Sequence, residues 1–178
     1  MTSQRHPLDF YETPAKLTRA MMRECPLIDD VCEPCVGHRA IADELAREQR
    51  SVVGWDIDPD KNPDRVSDAT DDRTWNGHRF DWVVSNPPFN VAHEIVPHAV
   101  AASRVGCAML LRITYLEPCE KRGSWLQENP ISRLIIFNPR PRFRAGKGTD
   151  SATVAWFVWE RDHVGDTKIT YCTDWKTL

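Results

Sequence analysis

The sequence has no long apolar run and no marked excess of charge of either sign. No stretch approaches the roughly 20 apolar residues that a membrane-spanning helix needs, and residues 1–10 lack the apolar core of a signal peptide. The 178 residues carry a formal net charge of −3, so a surface for nucleic acid would have to be a local basic patch. We therefore expect a cytoplasmic protein that does not associate with membranes.

Cysteines are few, and their spacing gives little support for a metal site or a disulfide framework. The six cysteines are Cys25, Cys32, Cys35, Cys107, Cys119 and Cys172. Cys32 and Cys35 have the C-x-x-C spacing of a zinc or redox pair, yet no second pair follows at ligand spacing. Because the chain shows no short secreted framework, we expect reduced thiols and no bound metal.

Low-complexity tracts, internal repeats and interdomain linkers are also absent from the sequence. Hydrophobic residues make up 41% of the chain and charged residues 28%, which is typical of globular proteins rather than disordered ones. A chain of 178 residues is near the usual size of one domain and can bury a substantial core. We expect one domain over residues 1–178.

Short strand-like segments alternate with helical patterns through the first two thirds of the chain. Residues 27–34 and 51–58 are predicted strands, and between them residues 38–50 have apolar positions at helical spacing. Residues 91–103 predict a helix that is interrupted or kinked near Pro97. The other predicted strands are residues 65–68, 80–88, 106–113, 132–138 and 152–160, with a peripheral strand at 168–172. This alternation predicts an α/β fold with a doubly wound, mostly parallel sheet, whose ligands bind beyond the carboxyl ends of the strands.

Polar and special residues follow four of these strands, where a parallel sheet places its ligands. They are Glu33 and Gly37 after the first strand, Asp56 at the second, Asp68 at the third and Asn86 at the fourth. Gly37 allows the backbone to approach a ligand closely, and Asp56, roughly 20 residues beyond, suits an acceptor for ribose hydroxyls. Glu33 would repel a phosphate at the same turn. The pattern therefore favours a nucleoside cofactor over a dinucleotide.

Two prolines end the fourth predicted strand. In VVSNPPFN (83–90), Pro87 and Pro88 stop the strand and fix the backbone, which holds the side chain of Asn86 in place. By itself this motif is also compatible with a strand-terminating turn that has a core phenylalanine at Phe89. Its interpretation depends on the motifs that precede it.

Five motifs, taken in order, resemble those of a known family. They are FYETP (10–14), CEPCVGHRAI (32–41), VVGWDIDP (52–59), SDAT (67–70) and FDWVVSNPPF (80–89). In this order they resemble the S-adenosylmethionine-dependent amino-methyltransferases, particularly the DNA adenine-N6 branch, in which the cofactor motifs precede an Asn-Pro-Pro-aromatic motif. The resemblance implies a Rossmann-like class I methyltransferase fold with S-adenosylmethionine as the cofactor. Protein-glutamine and RNA methyltransferases are similar at the last motif, so that motif alone leaves the methyl acceptor open.

The resemblance also implies roles for individual residues. Glu33 and Gly37 would lie near the amino and backbone contacts of the cofactor, Asp56 on its ribose and Asp68 on its adenine amine. The full set of implied cofactor-binding residues is Tyr11, Thr13, Pro14, Glu33, Pro34, Gly37, Asp56, Ile57, Asp68, Ala69 and Asn86. The family usually has Gly-x-Gly in the first loop, and Arg39 stands where the second glycine is expected. Its side chain would either crowd the cofactor or point outward.

The chemistry of such enzymes gives the proline motif a purpose. An exocyclic amine on an aromatic base is a poor nucleophile, because its lone pair is delocalised into the ring. The Asn86 side-chain oxygen and the Pro87 carbonyl would accept hydrogen bonds from the two N–H groups of the amine. These bonds would localise the lone pair and direct the nitrogen at the methyl group. Pro88 would keep that carbonyl rigid, and Phe89 would stack on a base that is flipped out or already single-stranded. Asn86, Pro87, Pro88 and Phe89 are therefore the expected catalytic residues.

A basic segment around an aromatic residue is the candidate surface for nucleic acid. NPRPRFRAGKG (138–148) places four cations around Phe143, which suits a phosphate backbone and an unstacked base. These cations are Arg140, Arg142, Arg144 and Lys147. The alternative is a solvated loop whose Phe143 packs inward. The expected substrate-binding residues are Phe89, Arg112, Arg140, Arg142, Phe143 and Lys147, with Lys121 and Arg122 as further candidates.

Three interpretations stay open at this point. The leading one is a methyltransferase that acts on the N6 amine of adenine in DNA. The second keeps the chemistry and changes the acceptor to an RNA base or a protein glutamine amide. The third is a non-catalytic nucleic-acid-binding module with a degraded cofactor site, which Arg39 suggests. Because little chain is left for target recognition, we expect short or relaxed specificity, a separate specificity partner or a homodimer.

Overall fold

The computed structural model describes residues 12–25, 30–117, 119–143 and 152–178, with the backbone but not the side chain of Lys121. The helices in these ranges are α1 Ala15–Glu24, α2 Ala40–Arg47, α3 Asp72–Trp75, α4 Ala92–Ala102 and α5 Glu120–Glu128. Three short 3-10 helices lie at Pro59–Lys61, Ile113–Leu116 and Trp175–Thr177. None of the helices within the described ranges is both long and apolar enough to cross a membrane.

The strands form one mixed sheet. They are β1 Asp30–Glu33, β2 Ser51–Asp56, β3 Arg65–Val66, β4 Phe80–Ser85, β5 Ser103–Arg112, β6 Arg133–Phe137, β7 Val154–Glu160 and β8 Lys168–Cys172. Their order across the sheet is β3-β2-β1-β4-β5-β7-β6-β8. Neighbouring strands pair in parallel except at β7, which runs antiparallel to β5 and to β6.

This topology collects the strand ends at one edge, termed here the carboxyl edge. Strands β1 to β6 and β8 all end there, and β7 begins there because it runs in the opposite direction. The prediction of an α/β fold with a mostly parallel, doubly wound sheet is confirmed. The expected peripheral strand at 168–172 is also confirmed, as the edge strand β8.

Alternating side chains divide the core between the two faces of the sheet. In β4, Trp82 and Val84 face α1 and α2, whereas Val83 faces α3 and α4. Trp82 pairs with Gly106 across β4 and β5, and a Cβ atom at position 106 would lie 2.5 Å from the indole ring. Gly106 therefore leaves the space in which the buried indole of Trp82 lies.

Helix α1 was not anticipated by the sequence patterns above, and several contacts hold it in place. Its buried residues are Leu17, Thr18, Ala20 and Met21. Arg19 donates to the buried carboxylate of Glu44 in α2 at 2.5 Å, and this bond lowers the pKa of Glu44. The indole nitrogen of Trp156 donates to the carbonyl of Leu17 at 2.9 Å. These contacts also fix the segment Thr13-Pro14 that leads into the helix.

Helix α4 continues through Pro97, so of the two predicted alternatives, an interruption or a kink, the interruption is wrong. A proline inside a helix removes one backbone hydrogen bond and crowds the preceding turn. The neighbouring residues Ile95, Val96 and Ala99 are buried against the sheet, and this packing keeps the helix continuous.

Candidate active site

Three chain segments meet at the carboxyl edge and line one small pocket. They are the residues before α1, the loop from β1 to α2, and the residue that follows β4. The lining residues are Glu12, Thr13, Glu33, Cys35, Val36, His38, Ala40, Ile41 and Asn86. Three residues with predicted roles, Thr13, Glu33 and Asn86, are therefore neighbours in space.

Asn86 follows β4 and is held by the segment that precedes α1. Its Nδ2 donates to Oγ1 of Thr13 at 3.0 Å, across 73 residues of sequence. Thr13 is only 4% exposed, and Pro87 is buried directly after Asn86. The amide is therefore positioned from both its side chain and its backbone, with the nitrogen end directed at Thr13.

Glu33 is a buried carboxyl group at the end of β1. Its Oε2 accepts a hydrogen bond from the backbone N–H of Ala42 at 2.8 Å, in the first turn of α2. Burial raises the pKa of Glu33 well above its usual range, and the Ala42 bond and the charge of Arg39 oppose that rise. A cation entering the pocket would favour the ionised carboxylate. Glu33 thus suits a ligand that carries an ammonium group.

Asp56 ties the loop between β1 and α2 to the end of β2. Its Oδ2 accepts from the backbone N–H of Gly37 at 2.8 Å, and its Oδ1 accepts from that of Asp58 at 2.9 Å. Gly37 has a φ of 49°, in the left-handed region that favours glycine. Because a carboxylate oxygen can accept more than one hydrogen bond, Asp56 can organise this loop and also accept from a ribose hydroxyl.

Three further residues predicted to bind the cofactor follow β2 and β3, and Asp68 is the one predicted to contact the adenine amine. Asp68 is exposed, and its Oδ1 accepts from the N–H of Thr70 at 2.9 Å and from its hydroxyl at 2.7 Å. Ala69 is buried, and its carbonyl accepts from the indole of Trp75 at 3.0 Å. Ile57 leaves 53% of its surface exposed, which provides an apolar contact area for a planar ring.

Arg39 keeps a glycine-like backbone at the position where the family has a glycine. Its φ is 64°, in the left-handed region, and its side chain extends to Asp64, with 3.1 Å between Nη1 and Oδ2. Nε lies 3.5 Å from Asp43. Asp64 in turn accepts from the backbone N–H of Gly54 in β2 at 2.6 Å. The guanidinium is therefore directed toward β2 and the loop that follows it, and not toward the pocket.

Phe89 and Arg112 lie together at the ends of β4 and β5. The guanidinium carbon of Arg112 is 4.8 Å from the centre of the Phe89 ring, a cation–π arrangement. Phe89 is half-buried and packs against the core on the α1 face, as does Phe143. The inward packing of Phe143 matches the alternative considered for the basic loop. Its ring therefore needs a change of position to stack on a base.

Arg140 and Arg142 extend from the loop that leaves β6 at the carboxyl edge. Both side chains are exposed, and the indole of Trp175 donates to the carbonyl of Pro139 at 2.9 Å, which fixes the start of this loop. The loop returns at the same edge, where the N–H of Ile113 donates to the carbonyl of Thr153 at 2.9 Å. Positive charge is therefore placed on the same edge as Asn86.

The remaining predicted residues fall in several places. Pro14 is the N-cap of α1, Pro34 lies in the turn after β1, and Pro88 is half-buried after β4. The guanidinium of Arg122 lies 5.3 Å from the centre of the Tyr115 ring, on the other face of the sheet from Phe89. Tyr11, Arg144 and Lys147 lie outside the described residues, as does the side chain of Lys121.

Solved structures show which fold this is. A type I restriction-modification methyltransferase subunit from Streptococcus thermophilus has a TM-score of 0.68 at 16% identity, over 90% of this chain and 47% of its own. A candidate class I S-adenosylmethionine-dependent methyltransferase from Listeria monocytogenes has a TM-score of 0.66 at 11% identity, and the match covers 98% of this chain and 68% of that protein. A candidate RNA methyltransferase from Pyrococcus horikoshii has a TM-score of 0.64 at 15% identity, and the match covers 90% of this chain and 93% of that protein. The fold is that of the class I methyltransferases.

The methyltransferase fold is established by shape and not by sequence. No protein-family model and no curated protein sequence matches the chain. The chain spans about half the length of the type I restriction-modification subunits that it resembles. At such low identity, the chemistry has to be argued from the residues of this chain.

Within the methyltransferase fold, sequence reasoning missed a cavity of about 500 Å³ between α4 and α5. Its lining residues are His93, Pro97, Tyr115, Cys119, Glu120, Arg122 and Trp125. Tyr115 and Trp125 provide aromatic walls, and burial raises the pKa of Tyr115 to about 12. These residues come from three separate elements, so no periodic pattern marks them as neighbours.

The pair Cys32 and Cys35, in β1 and in the turn that follows it, belongs to the packing of the fold. All six cysteines are free thiols, and Cys32 is fully buried in the core. Burial raises the pKa of the thiols of Cys32 and Cys35. Across the described ranges, no group of three or more His, Cys, Asp or Glu side chains is placed to hold a metal ion.

Proposed function

We propose that the chain transfers a methyl group from S-adenosylmethionine to the exocyclic N6 amine of adenine in DNA. The observation that carries this proposal is the position of Asn86. It stands at the carboxyl end of β4, lines the pocket that contains Glu33, and directs its amide nitrogen at Thr13. With the amide nitrogen directed at Thr13, the amide oxygen is the end of the side chain that would accept a hydrogen bond from an amine.

The residues of the pocket fit S-adenosylmethionine by their chemistry. Glu33 would meet the ammonium group, since a cation offsets the cost of ionising a buried carboxyl. Asp56 would accept from the ribose, and Ile57 offers an exposed apolar surface to the adenine ring. Thr13 and Pro14 would lie near the methionine end. When bound, the cofactor supplies an electrophilic sulfonium methyl group.

Catalysis by this chain would consist of holding the acceptor amine. The Asn86 oxygen and the Pro87 carbonyl would accept hydrogen bonds from its two N–H groups. These bonds would localise the nitrogen lone pair and direct it at the methyl group. Positive charge develops on the nitrogen during transfer, so two fixed acceptors stabilise the transition state more than the ground state. Pro88 restricts the residue before it and keeps the Pro87 carbonyl in place.

A nucleic acid is the acceptor that the surface charge favours. Arg112 lies over Phe89, and Arg140 and Arg142 are exposed on the loop after β6, at the edge where Asn86 lies. Exposed arginines at a carboxyl edge suit phosphates, and an aromatic ring suits an unstacked base. A solved structure of similar fold is named as the methyltransferase subunit of a type I restriction-modification system, which supports DNA as the acceptor. We further propose that sequence specificity comes from a partner chain or a second copy.

An RNA acceptor is the second candidate, and one observation favours it. The chain covers 93% of the candidate RNA methyltransferase, but only 47% of the restriction-modification subunit. The aligned residues therefore account for nearly all of the RNA protein and for about half of the restriction-modification subunit. The basic loop does not distinguish the two nucleic acids, because phosphates are common to both.

The test is a labelled-methyl transfer assay on DNA, RNA and protein, followed by analysis of the modified nucleosides or amino acids. We expect N6-methyladenine in DNA, with Asn86→Ala as the inactive control. Label on RNA or on a glutamine amide would replace the proposed substrate and keep the chemistry. If calorimetry detects no binding of S-adenosylmethionine at millimolar concentration, the proposal is wrong, and the result supports a non-catalytic nucleic-acid-binding module.

A further inference from the structure

We propose that Thr13 is a positioning residue for the catalytic amide, because it sets which end of Asn86 faces the acceptor amine. This inference rests on the proposed function, in which the Asn86 oxygen must accept a hydrogen bond from the acceptor amine. The structure supplies the contact: Nδ2 of Asn86 donates to Oγ1 of Thr13 at 3.0 Å. The role differs from the cofactor contact that the family resemblance implies for Thr13.

The oxygen and the NH2 group of a side-chain amide are nearly equal in size, but the oxygen accepts hydrogen bonds and the NH2 group donates them. If the Asn86 amide turned over, its NH2 group would face the N–H bonds of the acceptor amine, and no bond could form. Pro87 restricts the backbone of Asn86 to extended conformations but leaves the side-chain torsions free. A partner for the nitrogen end is therefore needed to keep the oxygen directed at the amine.

Thr13 can fill this role because its own position is fixed. It is 4% exposed and lies two residues before α1, which begins at Ala15. Helix α1 is anchored by the bond from Arg19 to Glu44 and by the bond from the Trp156 indole to the Leu17 carbonyl. The Thr13 hydroxyl is thus held by a helix packed on the sheet, and it restrains an amide that follows β4 of the same sheet.

The matched substitution is Thr13→Val, which keeps the branched shape and removes the hydroxyl. Thr13→Ser keeps the hydroxyl, and Thr18→Val is the control. Thr18 is fully buried on α1, and its hydroxyl has no hydrogen-bond partner among the described residues. The control therefore makes the same chemical change within α1, close to Thr13 in the chain, and leaves the bond between Thr13 and Asn86 in place.

We expect Thr13→Val to lower the single-turnover rate at saturating cofactor and substrate by about tenfold to a hundredfold, less than loss of the acceptor itself. The single-turnover rate of Thr13→Ser should be within about threefold of the wild-type rate, and the rate of Thr18→Val should equal the wild-type rate. Affinity for S-adenosylhomocysteine, measured by calorimetry, should change less than about twofold in Thr13→Val. If that affinity falls instead while the saturated rate is unchanged, Thr13 contacts the cofactor and the positioning role is refuted.

A second measurement does not depend on methyl transfer. The side-chain amide protons of Asn86 should exchange with solvent more slowly in the wild type than in Thr13→Val, as followed by NMR, because the hydrogen bond protects them. Equal exchange in a folded Thr13→Val protein would show that the bond does not hold the amide. Slow exchange in a wild type that methylates no substrate would reject the proposed function and leave the contact in place. Should Thr13→Val not fold, Thr13→Ala provides the same comparisons.

Discussion

The two halves of the carboxyl edge are built in different ways. In the half proposed to bind the cofactor, termed here the cofactor half, the carboxyl groups of Glu33 and Asp56 lie at the ends of β1 and β2. They accept hydrogen bonds from backbone N–H groups of α2 and of the loops that follow β1 and β2. In the half proposed to bind the methyl acceptor, termed here the acceptor half, Arg140 and Arg142 are exposed to solvent near the ends of β5 and β6. Strand β4, which leads to Asn86, lies between the two halves in the sheet order.

The difference indicates what each half is suited to bind. Loops fixed by short backbone hydrogen bonds present one fixed shape, which suits a small ligand of constant structure. Long exposed cations adapt to many positions and lose affinity when salt is added, which suits a polymer of phosphates. Substitutions in one half should therefore leave binding by the other half unchanged.

The largest effect is expected at the boundary, from Asn86→Ala. The substitution removes one of the two acceptors and leaves the strand, both prolines and Phe89 in place. The single-turnover rate with saturating cofactor and substrate should fall by about 10²–10³, by analogy with the loss of one oxyanion-hole donor, while both affinities change little. Asn86→Asp should be milder, since a carboxylate also accepts. Transfer by Asn86→Ala within about threefold of wild type would make the motif a structural turn.

In the cofactor half, Asp56→Ala should weaken binding of S-adenosylmethionine by about 1.5–3 kcal/mol, or roughly tenfold to a hundredfold, because a charge-assisted acceptor is lost. The bonds to Gly37 and Asp58 are lost as well, so the loop also becomes less ordered. Calorimetry measures the change. Asp60→Ala, which removes an exposed charge two residues beyond Asp58, is the control. Unchanged affinity in a folded Asp56→Ala protein would remove this residue from the site.

Glu33 should make cofactor binding depend on pH. Its pKa in the folded protein is raised, so the free protein holds a proton here at a pH where the unfolded chain has lost it. Ionisation of Glu33 as the pH rises therefore lowers the stability of the free fold. An ammonium ligand favours the ionised form and releases that proton.

Cofactor affinity should consequently rise with pH, by up to about tenfold per unit, until the pH exceeds the raised pKa. Calorimetry in two buffers of different ionisation enthalpy measures the proton released. Glu33→Gln can still accept from Ala42 but does not titrate, so this pH dependence should disappear. A wild type that binds with no proton release would show that Glu33 does not meet the ammonium group.

In the acceptor half, Arg142→Ala should weaken nucleic-acid binding a few-fold and leave cofactor affinity unchanged. The slope of log K against log salt should decrease by about 1, since one phosphate contact is lost. Arg161→Ala removes the same charge from the end of β7, at the opposite edge of the sheet, and should have no effect. We expect the same result for Lys147→Ala, at a residue outside the described ranges: weaker nucleic-acid binding with little change in cofactor affinity. An unchanged salt slope in Arg142→Ala would contradict the assignment.

The smallest effect is expected from Arg39→Gly. Glycine removes the cost of the left-handed backbone at φ 64°, while the bonds to Asp64 and Asp43 are lost, so the two changes oppose each other. Cofactor affinity should stay within about threefold of wild type by calorimetry. A gain of tenfold or more would mean that the arginine does crowd the cofactor, contrary to the direction of its side chain.

The positions of the strands along the chain were predictable from sequence, because each strand leaves a local signal. Apolar runs followed by Glu33, Asp56 and Asn86 place these residues at strand ends, and parallel pairing brings strand ends to one edge. The helix α1 also left a signal that was overlooked. Leu17, Ala20 and Met21 recur at helical spacing directly after a proline that suits a helix start.

The contacts between side chains were not predictable in the same way. The bond from Asn86 to Thr13 joins residues 73 positions apart, and the direction of the Arg39 side chain depends on Asp64, which no motif contains. The cavity between α4 and α5 also depends on how separate elements pack. Periodicity and turn chemistry describe neighbours along the chain, whereas these features arise from the tertiary fold.

The reversal of β7 has a consequence for how the protein could be diversified. Because β6 ends and β7 begins at the same edge, both ends of the connection between them lie beside the site. By the entropy of chain closure alone, doubling the length of a connection costs only about 0.6 kcal/mol. Residues could therefore be inserted between Phe143 and Ala152 with little loss of stability, and a grafted recognition segment at this place would reach the acceptor while the cofactor half stayed unchanged.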